Sequence, residues 1–157
     1  MRAIDLAPPM VATAEESTNL AEAARMMRRL GVGDLVITRY DSCRIQPIGV
    51  VTDRDIVVHA IACGLDPAEI SVADLCTREP ATVDASADLF EITAAMKEHG
   101  VRRVVVTRDS ELAGVISMDN VVEAMAELLG QLSGMLAQQI DYEQEHLVAA
   151  KLQNNAA

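Results

Sequence analysis

The chain has 157 residues, of which 50% are hydrophobic and 24% charged, and its formal net charge is −11. This length suits one compact unit that buries roughly two-thirds of the unfolded chain's surface, and the composition excludes a disordered or low-complexity chain. With 24 acidic against 13 basic residues, the chain lacks the positive footprint of a nucleic-acid-binding protein. An anionic small ligand would have to bind where basic residues cluster locally.

The chain contains an internal duplication. When it is shifted by 69 residues, residues 2–39 align with residues 71–108 and 13 of the 38 pairs are identical. Beyond residue 39 the offset falls to 65, so the first copy carries four additional residues around Asp41–Arg44. We interpret this pattern as two tandem repeats, the first with a lengthened hairpin.

Each repeat is predicted to open with a short helix and a short strand. Ser71–Asp74 has the pattern of a capped helix start, and its counterpart in the first repeat is Ala3–Ala7. The strands are predicted over Val11–Thr13 and Ala81–Val83. Because each repeat has its own opening segment, both are predicted to be complete.

An amphipathic helix follows in each repeat. Apolar residues recur at helical spacing from Leu20 to Met27 and from Leu89 to Met96. The predicted ends of these helices carry capping pairs and terminal glycines, namely Asn19 with Glu22, Asp88 with Glu91, Gly31 and Gly100.

Two apolar strands and a second helix complete each repeat. Polar turns join the strands, which indicates hairpins. The predicted elements are strands over Leu35–Thr38, Ile45–Val51, Val104–Thr107 and Leu112–Ile116, and helices from Asp53 to about Cys63 and from Asp119 onward. The predicted fold class is therefore α/β (α+β), with a β-α-β-β-α unit that occurs twice.

A long C-terminal helix, from about Glu123 to Leu152, has no counterpart after the first repeat. We therefore predict three regions: repeat 1 over residues 1–65, repeat 2 over residues 66–127 and a helical extension over residues 128–157. The apolar positions of the extension form a wide stripe that is too irregular for a coiled-coil prediction. The helix could pack on its own domain or on a dimer mate, or it could dock a specific partner.

The cysteines and the N-terminus favour a cytoplasmic protein. Cys43, Cys63 and Cys76 are odd in number and widely spaced, and no signal peptide opens the chain. The uncharged stretch Leu128–Ile140 is too short to span a bilayer. We expect free thiols, no metal site, no membrane association and no nucleic-acid partner.

The string Gly49–Asp55 and its echo Gly114–Asn120 are the motif most able to bind a ligand. In each, a buried strand ends at a hydroxyl residue, and a carboxylate or amide follows three positions later at a helix start. A carboxylate there can accept hydrogen bonds from a ribose diol. The same atoms also form a capping box, in which Thr52 and Asp55 satisfy each other's backbone N–H groups. Spacing leaves both interpretations open.

The repeat length, the order of elements and the Gly49–Asp55 string resemble a tandem pair of cystathionine-β-synthase (CBS) domains, called a Bateman module. The resemblance covers about residues 1–127. It implies two repeats packed as a pseudo-two-fold pair, with adenosyl ligands bound in clefts between them. It also implies helix-mediated homodimers.

The resemblance also implies roles for individual residues. The ribose-binding hydroxyl and acid correspond to Thr52 and Asp55 in the first repeat, and to Ser117 and Asn120 in the second. The adenine would rest against the first strand, and the phosphates would meet basic residues at the start of the middle strand. These groups correspond to Val11, Ala12 and Thr13, and to Arg102 and Arg103.

Two departures from the family pattern affect these assignments. Asn120 replaces the expected acid and lacks the charge that strengthens a hydrogen bond to a hydroxyl. Asp34 stands where the second repeat has Arg103, and it would repel a phosphate. We therefore expect one good site, with ribose on Asp55 and phosphates reaching Arg102 or Arg103.

We find no nucleophile elbow, phosphate-binding loop or catalytic constellation, so the chain is not expected to be an enzyme. The leading hypothesis is a regulatory sensor that requires no cofactor and binds AMP, ATP, S-adenosylmethionine or NAD. Ligand occupancy would change its conformation or its binding to an unidentified protein target. The alternative is a ligand-free scaffold that acts through homodimerisation and its C-terminal helix.

Overall fold

A computed structural model describes residues 1–41, 44–76 and 78–154. The chain forms two compact units, Met1–Met118 and Asp119–Ala157. The elements in chain order are α1 (Ala3–Leu6), β1 (Thr13–Glu15), α2 (Leu20–Leu30), β2 (Asp34–Asp41), β3 (Arg44–Thr52), α3 (Asp53–His59), α4 (Val72–Leu75), β4 (Thr82–Asp84), α5 (Leu89–His99), β5 (Arg103–Arg108), β6 (Glu111–Ser117) and α6 (Met118–Asn154).

Each repeat contains a three-stranded sheet of the same topology. In repeat 1, β1 runs parallel to β2 and β2 runs antiparallel to β3. In repeat 2, β4, β5 and β6 are arranged identically. The register shifts between Ile37 and Thr38 in the first sheet and between Val106 and Thr107 in the second, at repeat-equivalent positions. The predicted mixed α/β fold with a duplicated unit is confirmed.

The core of repeat 1 forms between α2 and its sheet. The predicted apolar face of α2 is buried through Leu20, Ala23 and Met27, and it packs with Leu35 and Ile37 of β2. The glycine after each long helix adopts a left-handed conformation, with φ of 70° at Gly31 and 64° at Gly100. These glycines end α2 and α5 where the sequence predicts.

Several predicted boundaries differ from the structure, most clearly at the end of α3 and at the opening strands. The helix expected to reach Cys63 ends at His59, and a 3-10 turn over Ile61–Cys63 follows. Hydrogen bonds from Cys63 N to Ala60 O and from Gly64 N to Ile61 O tighten the chain there. The opening strands β1 and β4 begin at Thr13 and Thr82, later than the predicted starts at Val11 and Ala81. The reason is that pairing with the neighbouring strand begins only at the carbonyls of Ala12 and Ala81. Cys43 lies outside the described residues.

The short opening helices are exchanged between the repeats. Val72 N, at the start of α4, donates to Thr18 O at 2.8 Å, so the helix that opens repeat 2 docks on repeat 1. Ala3 N, at the start of α1, donates to Ala87 O at 2.7 Å, the equivalent contact on repeat 2. The sequence correctly predicts both helices and groups each with the repeat that follows it along the chain, but it does not predict that each docks on the other repeat. This reciprocal exchange relates the two repeats by pseudo-two-fold symmetry.

The glycine of each motif makes room for the exchanged helix. A Cβ added at Gly114 would lie 2.7 Å from the Cβ of Ala7, the C-cap of α1. A Cβ added at Gly49 would lie 2.8 Å from the Cβ of Cys76, the C-cap of α4. Real Cβ atoms do not approach so closely, so both glycines permit close packing of a strand on a helix end.

The second unit consists mainly of α6, a helix of 37 residues that begins at Met118, the last residue of the first unit. The second helix of repeat 2 and the C-terminal extension are thus one continuous helix, and the predicted boundary between residues 127 and 128 falls inside it. Among the described residues, none of the helices combines the length and apolar character needed to cross a bilayer.

The N-cap of α5 provides a test of helix stability. Asp88 Oδ1 accepts hydrogen bonds from the N–H groups of Phe90 and Glu91 at 2.8 and 2.9 Å. Asp88→Ala should lower the free energy of unfolding by about 1 kcal/mol, because it removes an acceptor from the helix start. Asp88→Asn keeps an acceptor oxygen and should cost less. Urea denaturation of both variants measures the difference, and an equal loss would contradict the capping role.

Candidate functional site

The predicted ribose site lies at the end of the first sheet where β2 begins and β3 ends. We call this end of the sheet, rather than an outer strand, the edge. Asp34 is paired directly with Thr52 across the antiparallel ladder. Side chains of such cross-strand partners share one face of the sheet, with Cβ atoms about 5 Å apart. Asp53 N donates to Gly33 O at 2.9 Å, and Val36 N donates to Ala12 O at 2.9 Å. The starts of β1, β2 and α3 therefore meet at this edge.

Thr52 and Asp55 form a capping box at the start of α3. Asp55 Oδ2 accepts from Thr52 Oγ1 at 2.7 Å and from Thr52 N at 2.9 Å. Asp55 N donates to Thr52 Oγ1 at 3.2 Å. Both bonds to the carboxylate use Oδ2, so Oδ1 takes no part in the cap. The capping interpretation is therefore confirmed by the structure.

The second sheet has an equivalent edge. Arg103 is paired with Ser117 across the β5–β6 ladder, as Asp34 is with Thr52. Met118 N donates to Arg102 O at 2.8 Å. The basic residues predicted to meet a phosphate thus lie beside the second hydroxyl residue of the motif.

An ion pair joins the two edges. Arg103 Nε lies 2.8 Å from Asp34 Oδ1, and the two side chains are 35% and 18% exposed. Asp34 and Arg103 are equivalent residues of the two repeats, separated by the 69-residue offset. A contact between equivalent residues lies on the pseudo-two-fold axis, so the axis passes between the two candidate sites.

Burial and neighbouring charges set the electrostatics of this edge. Burial raises the pKa of Asp34; the charge of Arg103 lowers it, and the nearby carboxylate of Asp53 raises it further. Burial also raises the pKa of the Cys76 thiol, and the charge of Asp55 adds to that shift. The charge of Asp53 therefore acts on Asp34, and the charge of Asp55 acts on Cys76.

The structure brings together most of the predicted site residues of repeat 1. Ala12 and Thr13 lie beside β2, and Val11 precedes them on the chain. Arg103 reaches this edge through Asp34, whereas Asn120 lies in the first turn of α6. Thr52, Asp55 and Arg103 line none of three surface clefts, whose volumes are about 590, 750 and 410 Å³.

Sequence reasoning missed the ion pair, although it identified both residues. It treated Asp34 as a charge that repels a phosphate and Arg103 as a charge that attracts one. The available signal was the opposite sign of the two residues at one repeat position. In the part of the chain that the structure describes, no group of three His, Cys, Asp or Glu side chains could hold a metal ion.

Comparisons with known proteins agree with this architecture. The family model described as CBS domain matches residues 4–61 and 72–127. Hypoxic response protein 1 of Mycobacterium tuberculosis is 36% identical over 112 residues, which are 71% of this chain and 76% of that protein.

Two solved structures are also similar to this chain in fold and sequence. A crystal structure of Hypoxic Response Protein I with two coordinated zinc ions has a TM-score of 0.68 and 33% identity, covering 78% of this chain and 98% of that one. A CBS domain protein from Pyrobaculum aerophilum complexed with AMP has a TM-score of 0.68 and 28% identity, covering 76% of this chain and 89% of that one.

Proposed function

The chain belongs to the CBS-domain family and carries two copies of the domain, and on this basis we propose that it is a regulatory module that binds an adenosyl ligand between its repeats. The observation that carries the proposal is the edge at which Thr52 and Asp55 meet the start of β2. A similar CBS domain protein is complexed with AMP, which supports an adenosine-containing ligand.

The proposed site uses the residues that this edge brings together. Asp55 Oδ1 accepts from the ribose hydroxyls while Oδ2 keeps the cap, and the adenine rests against Val11, Ala12 and Thr13. The proposal is confined to this site, because the second motif has the amide of Asn120 in place of the acid, and an amide lacks the charge of a carboxylate. The module works without catalysis or a resident cofactor. Its output is a change in the packing of the repeats, which a protein target reads.

A panel of thermal melts tests this function. AMP, ATP, S-adenosylmethionine and NAD are the candidate ligands, and GTP is the control for the base. At a concentration 100-fold above Kd, a ligand adds about 2.7 kcal/mol of stability, which raises Tm by roughly 5–10 °C for a protein of this size. A response to adenosyl compounds but not to GTP is expected. A flat panel would contradict the proposal.

The second candidate function, a scaffold that acts through homodimerisation, is favoured by one face of α6. Seven apolar side chains recur at spacings of three and four residues, so they share a stripe along the helix. All are exposed, which is typical of an interaction surface. They are Met125, Leu128, Leu129, Leu132, Met135, Leu136 and Ile140.

We expect the wild-type chain to be a homodimer in which this stripe pairs with its equivalent. Leu132→Glu together with Leu136→Glu should weaken dimerisation at least about tenfold, because charge replaces apolar surface that association buries. Ala137→Glu together with Gln138→Glu adds charge to the opposite face of α6 and is the matched control. Sedimentation across a concentration series measures the dissociation constants. Equal constants for the two double variants would exclude the stripe as the interface.

A further inference from the structure

Asp34 lies beside the residues that would hold the ribose of a nucleoside in the proposed site. It is the cross-strand partner of Thr52, whose hydroxyl is hydrogen-bonded to Asp55. The Cβ atoms of such partners are about 5 Å apart on one face of the sheet. A ribose held by Asp55 would therefore lie near the Asp34 carboxylate, which would be within reach of its 5′ substituent.

The cation at this edge is already engaged by that carboxylate. Arg103 Nε lies 2.8 Å from Asp34 Oδ1, and Asp34 is the more buried partner. A phosphate that approached Arg103 would have to displace Asp34 or lie beside it. Displacement would leave a largely buried carboxylate without its partner, which is costly.

The remaining charges around Asp34 do not offset this repulsion. Asp53 is close enough to raise the pKa of Asp34 by its charge. The carboxylate of Asp55 is hydrogen-bonded to Thr52, the cross-strand partner of Asp34. Arg54, Arg102 and Asp53 are all exposed, and solvent screens an exposed charge more strongly than a buried one. Among the less exposed charges, Asp34 and Asp55 outnumber Arg103, so a dianionic group would meet more negative than positive charge here.

We propose that Asp34, held by Arg103, is a specificity determinant that selects against a 5′ phosphate and directs the repeat 1 site to nucleosides with a neutral or cationic 5′ substituent. This inference rests on the proposed function, because it requires that the ribose bind at Thr52 and Asp55. The ligand class it names includes nucleosides with a 5′ sulfonium group. AMP is therefore not expected to be the adenosyl compound that binds most tightly.

The probes for this inference are adenosine, AMP and S-adenosylmethionine, titrated by calorimetry into the full-length protein. The wild type should bind AMP no more tightly than adenosine, and S-adenosylmethionine at least as tightly as adenosine. Asp34→Asn should raise the affinity for AMP relative to adenosine by about tenfold or more, because it removes a negative charge and releases Arg103. Arg103→Gln should lower the same ratio, since it leaves the carboxylate unpaired.

Asp109→Asn is the matched control. It makes the same change of charge in the turn after β5, at the other end of the strand from Arg103. Its backbone has a φ of 52°, a conformation that asparagine tolerates. The ratio of AMP to adenosine affinity should be unchanged in this variant.

Adenosine separates the two proposals. If adenosine binds the wild type and Asp34→Asn equally, the ribose site is intact in both, and the ratio reports on Asp34 alone. The inference is overturned if the wild type prefers AMP to adenosine, or if the ratio of AMP to adenosine affinity is the same in Asp34→Asn and Asp109→Asn. Either result leaves the proposed function standing. Failure of every adenosyl compound to bind any folded variant overturns both.

Discussion

Asp55→Ala is expected to abolish the thermal shift that an adenosyl ligand produces, while the protein stays folded. In the proposed site the variant removes the carboxylate that would accept from the ribose, and hydrogen bonds to a charged group are among the strongest in a binding site. We expect a loss of affinity of at least about 100-fold, which corresponds to about 2.7 kcal/mol. The unliganded variant should lose only about 1 kcal/mol of stability, because half of the capping box is gone.

The chain offers a close control for this experiment. Ser71 and Asp74 form a capping box at the start of α4, with the hydroxyl donating to Asp74 Oδ2 at 2.7 Å as Thr52 does to Asp55. Asp74→Ala should lower the stability of the unliganded protein by a similar amount and leave the ligand shift intact. Thermal melts of both variants with and without ligand measure the contrast. A ligand shift that survives in Asp55→Ala would remove this carboxylate from the site.

Gly114→Ala is expected to destabilise the fold by about 1–3 kcal/mol, the usual range for overpacking a well-filled contact. The added Cβ would lie 2.7 Å from the Cβ of Ala7 and 3.6 Å from that of Val106. Relief requires α1 to move away from β6, and α1 is the helix that repeat 2 receives from the start of the chain. Tm should fall by roughly 3–10 °C.

A compensating variant tests the cause of that loss. Ala7→Gly removes the Cβ that the new methyl group would meet, so the double variant should be more stable than Gly114→Ala alone. Such coupling between two neighbouring positions is measured by a double-mutant cycle in urea. Gly130→Ala is the control, because nothing lies within 4 Å of the added Cβ and alanine favours a helix interior. Additive effects of Ala7→Gly and Gly114→Ala would contradict the steric explanation.

Local patterns predict the elements of this fold because each depends on residues that are close in sequence. The duplication, the buried face of α2 and the cap at Asn19 follow from spacing and side-chain type. The left-handed glycines that end α2 and α5 were predictable for the same reason. The end of α3 at His59 was not, since the 3-10 turn depends on hydrogen bonds that sequence spacing does not specify.

The candidate site was predicted in part. Thr52 and Asp55 were identified from the motif, and the structure brings them to the edge where β2 begins. Spacing could not show that Asp34 and Arg103 pair, because the two residues meet only after the repeats assemble about their pseudo-two-fold axis. The exchange of α1 and α4 was missed for the same reason, since a repeat read along the chain assigns each segment to its neighbour.

The exchange of α1 and α4 has a consequence for how the protein forms during synthesis. Repeat 1 with α4 is a continuous stretch of chain, so it can be completed as soon as Leu75 has left the ribosome. Helix α1 is made first, but its acceptors at Ala85 and Ala87 are more than 80 residues further along. The residues of α1 are translated before the other elements of the Met1–Met118 unit, and they are therefore among the last to acquire their native contacts.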